Sequence, residues 1–245
     1  MYTIPVYIIP EDVDIDDVYQ IFTRVNFAGT RLRSTDIYLS LLEIRYKGLS
    51  KKVRQFTKKL KMTMGSNWDV EYSVVTKTFL AFLSGGKVKL ANTVIEQSKA
   101  LDRLAMSSNV EDAWKKTEES LFKAIEFLKS SLKINGTDSK LMPSQAPLVT
   151  LSYYMGTKGE LSEKEKKGLT GWYLLANFFR RYSSSTDTRL NEDLSTIDRE
   201  GWKGLIKGFG DLRVRASSRR KTLPVEKEAN TCCYMLSWCS QGLET

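Results

Sequence analysis

No histidine occurs in the 245 residues of this chain, and that alone removes several kinds of chemistry. Ser-His-Asp and Cys-His nucleophile systems, zinc proteases and His-Asn-His nucleases all need an imidazole. Carboxylates, lysines, tyrosines and serines are left. The carboxylate pairs Asp16-Asp17, Glu118-Glu119 and Glu192-Asp193 fall beside exposed-looking helical positions. None has a partner that would divide them into an acid and a base, and acids in a first helical turn simply favour the helix dipole. Cys232, Cys233 and Cys239 are an odd set within one apolar segment, which suits buried thiols better than a disulfide framework or a metal site. Gly201, Gly204, Gly208 and Gly210 lack the Gly-Lys-Ser/Thr ending and the preceding strand of a phosphate loop. No metal and no cofactor is expected.

What these residue types can do is meet phosphate. The formal net charge is +9, and a basic excess becomes informative where it clusters. Between residues 45 and 61 stand Arg45, Lys47, Lys51, Lys52, Arg54, Lys58, Lys59 and Lys61, with the single acid Glu43 at the edge. Surface helices normally mix signs, so the want of interleaved acids raises the nucleic-acid reading against a solvated charged face, the usual fate of such a run. Contact with a nucleic-acid backbone would be salt-sensitive and blind to sequence. A second basic stretch holds Arg213, Arg215, Arg219, Arg220 and Lys221 around Ser217-Ser218. It reads equally as a loop that orders on phosphate and as an ordinary surface loop.

The elements that must position these residues are mostly helices. Residues 3–9 (Thr-Ile-Pro-Val-Tyr-Ile-Ile) predict a strand with Pro5 at an edge or start. Apolar spacing of three and four then predicts helices over 14–25, 35–47, 50–64, 69–84, 91–106 and 110–133. Val53, Phe56, Leu60 and Met64 give the third helix an apolar stripe opposite its lysines. Residues 69–84 are apolar around most of the circumference and should be central. Asn109 is the expected cap of 110–133. A short helix within 141–154, entered through Pro143 or Pro147, comes next. A Ser162/Glu165 capping box opens a helix to about Tyr182, followed by helices over 187–197 and 199–209, a basic loop over 211–223 and a last helix over 226–241. With 41% hydrophobic and 27% charged residues the composition is that of an ordinary globular protein. No apolar run approaches the ~18 residues of a membrane span, and the amino terminus lacks the basic start and cleavage site of a signal peptide. A cytoplasmic protein with no membrane partner is expected.

Two segments resemble a known family. Tyr19–Leu42, read as YQIFTRVNFAGTRLRSTDIYLSLL, is similar to the F-x-R-[IV]-N-x-x-G-T-x-L-[ST] junction of the GmrSD-type restriction endonuclease N-terminal-domain family. About 150 residues later, Trp172 followed by Arg181, Tyr182, Ser183, Ser185, Thr188, Leu190 and Asp193 resembles that family's R-Y-S-x-S-x-[DE]-T-x-L-x-x-D segment. The resemblance implies that residues 1–33 are the end of a ParB/sulfiredoxin-like domain and that 34–245 form a helical domain. It implies an all-α multihelix bundle with one short amino-terminal strand left from a truncated α/β domain. It also implies a phosphate- or nucleotide-facing elbow at Arg24, Asn26, Gly29 and Thr30, although helix-stop and cap chemistry explains those residue types locally. Lys51, Lys52, Arg54, Lys58, Lys59, Lys61, Arg213, Arg215, Arg219 and Arg220 are the candidate nucleic-acid contacts from the basic stretches. Arg180, Arg181, Ser183 and Ser185 join them from the second segment, where capping is the competing role of the hydroxyls. The family's D-G-Q-Q-R motif and its His-Asn-His domain have no counterpart here, so no catalytic residue is carried over. The expected function is noncatalytic: a helical portion of a restriction or phage-defence protein that engages DNA backbone or scaffolds a separately encoded nuclease or NTPase. The alternative is a helical protein–protein interaction module whose strand 3–9 pairs with a partner sheet, or a fragment of a split gene, in either case without nucleic-acid binding.

Overall fold

The computed structural model describes residues 33–64, 69–91, 94–107, 109–132 and 144–209, with isolated positions before residue 33. Among the described residues every regular element is an α-helix. They are α1 (Ser34–Arg45), α2 (Leu49–Met64), α3 (Tyr72–Leu83), α4 (Val94–Ser107), α5 (Val110–Leu132), α6 (Ala146–Lys158), α7 (Glu163–Phe178) and α8 (Thr186–Lys207). The all-α expectation therefore holds for this part of the chain. Strand 3–9 apart from Ile8, the elbow Arg24–Thr30, the basic stretch Arg213–Arg220 and the last helix 226–241 with the three cysteines lie outside the described residues.

The apolar spacing seen in the sequence closes onto one core. Val53, Phe56 and Leu60 of α2 are buried, as are Trp114, Leu121, Ile125 and Leu128 of α5. Helix α3 is the centre: Val74, Val75, Phe79, Leu80 and Leu83 are all covered, and it packs against α1, α2, α5 and α6. Each such Leu or Phe contributes roughly 1.5–3 kcal/mol on burial. Phe56 and Phe79 both meet the Trp114 ring edge-on, with centroids 5.9 and 5.8 Å away, the preferred geometry for aromatic pairs. On the far side α6 and α7 pack against α8.

The ends of the helices follow local chemistry. The Asn109 side chain accepts from Asp112 N–H at 3.1 Å, as an N-cap should. Ser162 and Glu165 form the expected reciprocal box. Helix α1 begins at Ser34, one residue before the expected 35–47 span, with Arg33 at the N-cap position and its N–H donating to the Asp36 carboxylate. Helix α6 starts at Ala146 with Pro147 in its first turn, the second of the two expected entries, and runs past residue 154 to Lys158. The two expected helices 187–197 and 199–209 are one span interrupted at Gly201, whose φ is 64°. Only glycine adopts that conformation without strain, so the break falls there and not at residue 198.

Candidate functional site

Helix α2 places the largest group of predicted contacts. Its 16 residues contain no acid, and Lys51, Lys52, Arg54, Lys58, Lys59 and Lys61 are all exposed. At about 100° per residue they spread over the half of the helix facing away from Val53, Phe56 and Leu60. Their surroundings differ by position. On the α5 side Lys52 pairs with Glu111 at 3.2 Å and Lys59 lies 5.8 Å from the Phe122 ring centre. On the α3 side Lys61 pairs with Asp69 at 3.1 Å and Arg54 lies over Tyr72. Lys51 and Lys58, seven residues and thus two turns apart, form the crest, and no acid is within ion-pair distance of either among the described residues. Arg45 leaves the group altogether: its guanidinium turns inward to Asp102 and to Ser98 of α4.

The same helix is anchored at its start by one carboxylate. Glu43 accepts from Ser50 N–H at 2.6 Å and Gly48 N–H at 2.7 Å. These two backbone bonds, Ser50 first, hold its pKa below the ordinary glutamate value. The one acid bordering the basic run is thus bound to the α2 amino end, where negative charge is favoured, and does not face the lysine crest.

The second resembling segment forms the turn between α7 and α8. Arg181 grips Asp193 with two nitrogens, Nε at 2.8 Å, and its guanidinium lies 5.2 Å from the Phe209 ring centre. The Tyr182 hydroxyl donates to the same carboxylate and meets the Thr150 hydroxyl at 3.0 Å. Burial, then the Asp193 charge, raises the Tyr182 pKa well above that of free tyrosine. Burial opposes the Arg181 charge, but bonding and attraction to Asp193 outweigh it, and its pKa lies above the ordinary value. The fork of Arg181 is thus committed to an internal carboxylate. Arg180, Ser183 and Ser185 are exposed, and two of them carry left-handed backbone, Arg180 with φ 48° and Ser185 with φ 53°. Non-glycine residues hold that conformation only where the surroundings dictate it; here the buried Asp193 cluster does so.

Beyond that turn opens a polar cleft of about 560 Å³ that sequence reading did not foresee. Three helix starts border it: Arg33 and Thr35 of α1, Glu71 and Ser73 of α3, and Ser185–Thr188 of α8. Lys77 and Lys89 complete the wall. Lys77 pairs with Asp187 at 2.7 Å, both largely buried, and Arg33 pairs with Glu71 at 3.2 Å. A sequence signal for Lys77 existed: it is the lone charge in the buried run Val74–Leu83, and a charge there needs an internal partner. Nothing local marks Lys89, which the Asn191 side chain fixes by accepting from its N–H and donating to its carbonyl.

Comparison of the chain with protein-family models, curated proteins and solved structures finds no match. Among the described residues no group of three or more carboxylates or thiols is placed to hold a metal ion, and no helix is long and apolar enough to cross a membrane.

Proposed function

We propose that the chain is a noncatalytic helical body that engages nucleic-acid backbone through α2, in a restriction or phage-defence setting of the GmrSD-like kind. The observation that carries this reading is the composition and exposure of α2: six cations, no acid, all six open to solvent. A 16-residue helix is about 24 Å long, so its crest can follow several successive phosphates of one strand. The flanking pairs hold Lys52 and Lys61 toward neighbouring helices, and Lys51 and Lys58 supply the outermost charge. Exposed ion pairs such as Lys52–Glu111 contribute little to stability, roughly 0–1 kcal/mol. They can open toward phosphate at small cost.

The test is binding of the full chain to a random-sequence duplex as a function of salt. Each phosphate neutralised releases counterions and adds about −0.9 to the slope of log K against log salt, so a slope near −4 is expected for the crest and its neighbours. Replacing Lys51, Lys52, Lys58 and Lys59 by glutamate should remove retention with the helical circular-dichroism signal kept. A flat salt response, or unchanged retention by the four-fold variant, rejects the role of α2. The interaction-module alternative gains if the chain pulls no DNA at low salt but forms a defined complex with a partner protein.

A further inference from the structure

We infer that the cleft between the starts of α1, α3 and α8 is a binding site for the phosphate group of a small monoester, separate from the α2 face. The charges inside it leave a cation to spare. Glu71 is taken by Arg33 and Ser73, and Asp187 by Lys77. Lys89 has no acid at ion-pair distance among the described residues. Its backbone is fixed from both sides by Asn191, so the ammonium is carried on a rigid stretch. The wall otherwise consists mainly of hydroxyl groups, from Thr35, Ser73, Thr186 and Thr188 among others. Hydroxyls and ammoniums are the side chains that surround a phosphate.

The backbone adds to this. None of the three N-cap side chains, Arg33, Glu71 and Ser185, bonds a first-turn amide of its own helix. The three helix starts border one space, each with a carboxylate of its own at the N-cap or in the first turn: Asp36 is engaged by Arg33 N–H and the Tyr72 hydroxyl, Glu71 by Arg33 and Ser73, and Asp187 by Lys77, so an anion gains there from first-turn amides rather than from bare positive ends. The starts are held in place by bonds between elements. The Tyr72 hydroxyl of α3 donates to Asp36 of α1, and Gln145 ties the backbone ahead of α3 to the start of α6. Behind the wall, Tyr38 is 1% exposed and its hydroxyl forms no hydrogen bond of good geometry. Burial and the nearby Asp187 carboxylate push its pKa up to about 12. Proton balance requires no change at the protein: a phosphate dianion enters and meets cations already charged.

The experiment is calorimetric titration of the full chain with inorganic phosphate at about 0.15 M ionic strength, where surface attraction is screened beyond ~8 Å. A nucleoside 5′-monophosphate and a short 5′-phosphorylated single strand, each beside its unphosphorylated form, are the second and third arms. Saturable binding of phosphate is expected, and the arm that binds most tightly identifies whether a free monoester or a strand end is the natural source. Lys89→Ala should weaken phosphate about tenfold, the scale of one charge-assisted contact. Thr188→Glu is the safeguard against misfolding: an acid in the first turn of α8 favours the helix, so thermal stability holds or rises while phosphate binding disappears. Lys58→Ala should weaken DNA binding and leave phosphate binding as it was. Absence of saturable phosphate heat overturns the site, as does unchanged affinity in both cleft variants. Equal loss in Lys58→Ala also overturns it, because that would place the phosphate on α2.

Discussion

At the scale of single residues, Asp193 decides the most. It is buried among Arg181, Tyr182 and, one step further, Thr150, and it holds the turn in which Arg180 and Ser185 are left-handed. Asp193→Asn keeps the size and one acceptor but removes the charge that balances Arg181. Breaking a buried pair in this way costs about 3 kcal/mol. A fall in the urea midpoint of matching size is expected, with increased protease cutting near residues 180–188. An unchanged midpoint would show that the pair is dispensable. The sequence pointed to these residues for another reason. Arg181, the serines and Asp193 stood out as one recurrent segment, and a phosphate role was the functional reading. That Arg181 and Asp193 face each other could not be read, because twelve residues and an irregular turn separate them and no helical or strand period links the two.

At the scale of elements, helix placement was largely legible and helix contacts were not. Stripes such as Val53–Phe56–Leu60 and Trp114–Leu121–Ile125–Leu128 identify a buried face because burial follows the 3.6-residue period. Caps at Asn109 and Ser162 were legible because capping is local chemistry. The close approach of α7 to α8 was not, since it depends on what stands opposite. A Cβ at Gly168 would come within 2.2 Å of the Trp202 ring, so the indole lies directly on the α7 backbone. Gly168→Ala should therefore destabilise the fold by roughly 1–3 kcal/mol through overpacking, although alanine is the better helix former. A double variant with a smaller residue at 202 should recover part of the loss. If Gly168→Ala alone raises the melting temperature, propensity has outweighed packing. The lysines of α2 show the same division. The apolar stripe tells which side they occupy, while their sorting into a free crest and two tethered flanks depends on Glu111, Phe122, Asp69 and Tyr72 from other helices.

At the scale of the whole molecule, titration sets the range of stability. Glu43 and Glu165 have lowered pKa values, through backbone bonds from Ser50 and Gly48 and through bonds from Ser162 and Tyr154 respectively. A carboxyl group with a depressed folded pKa stabilises above its unfolded value, near 4.3, and loses that contribution as pH falls through the folded value. Tyr153 and Tyr173 are shifted up to about 12, both chiefly by burial. A group whose folded pKa is raised stabilises below its unfolded value, near 10, and loses the contribution as pH climbs to the folded one. With no histidine, the usual cause of change between pH 5 and 8 is missing. Denaturation midpoints should therefore be level from about pH 6 to 9 and fall on either side. A midpoint that slopes steadily across neutrality would contradict this assignment of groups.

The cleft has walls from residues 33–35, 71–89 and 185–188, and Asn191 reaches back about a hundred positions to hold Lys89. The first half of the chain supplies Arg33, Lys77 and Lys89, and the second supplies the α8 start and the Asn191 that fixes Lys89. Occupancy would report that both halves have assembled correctly, so phosphate would favour rejoining of separately expressed halves.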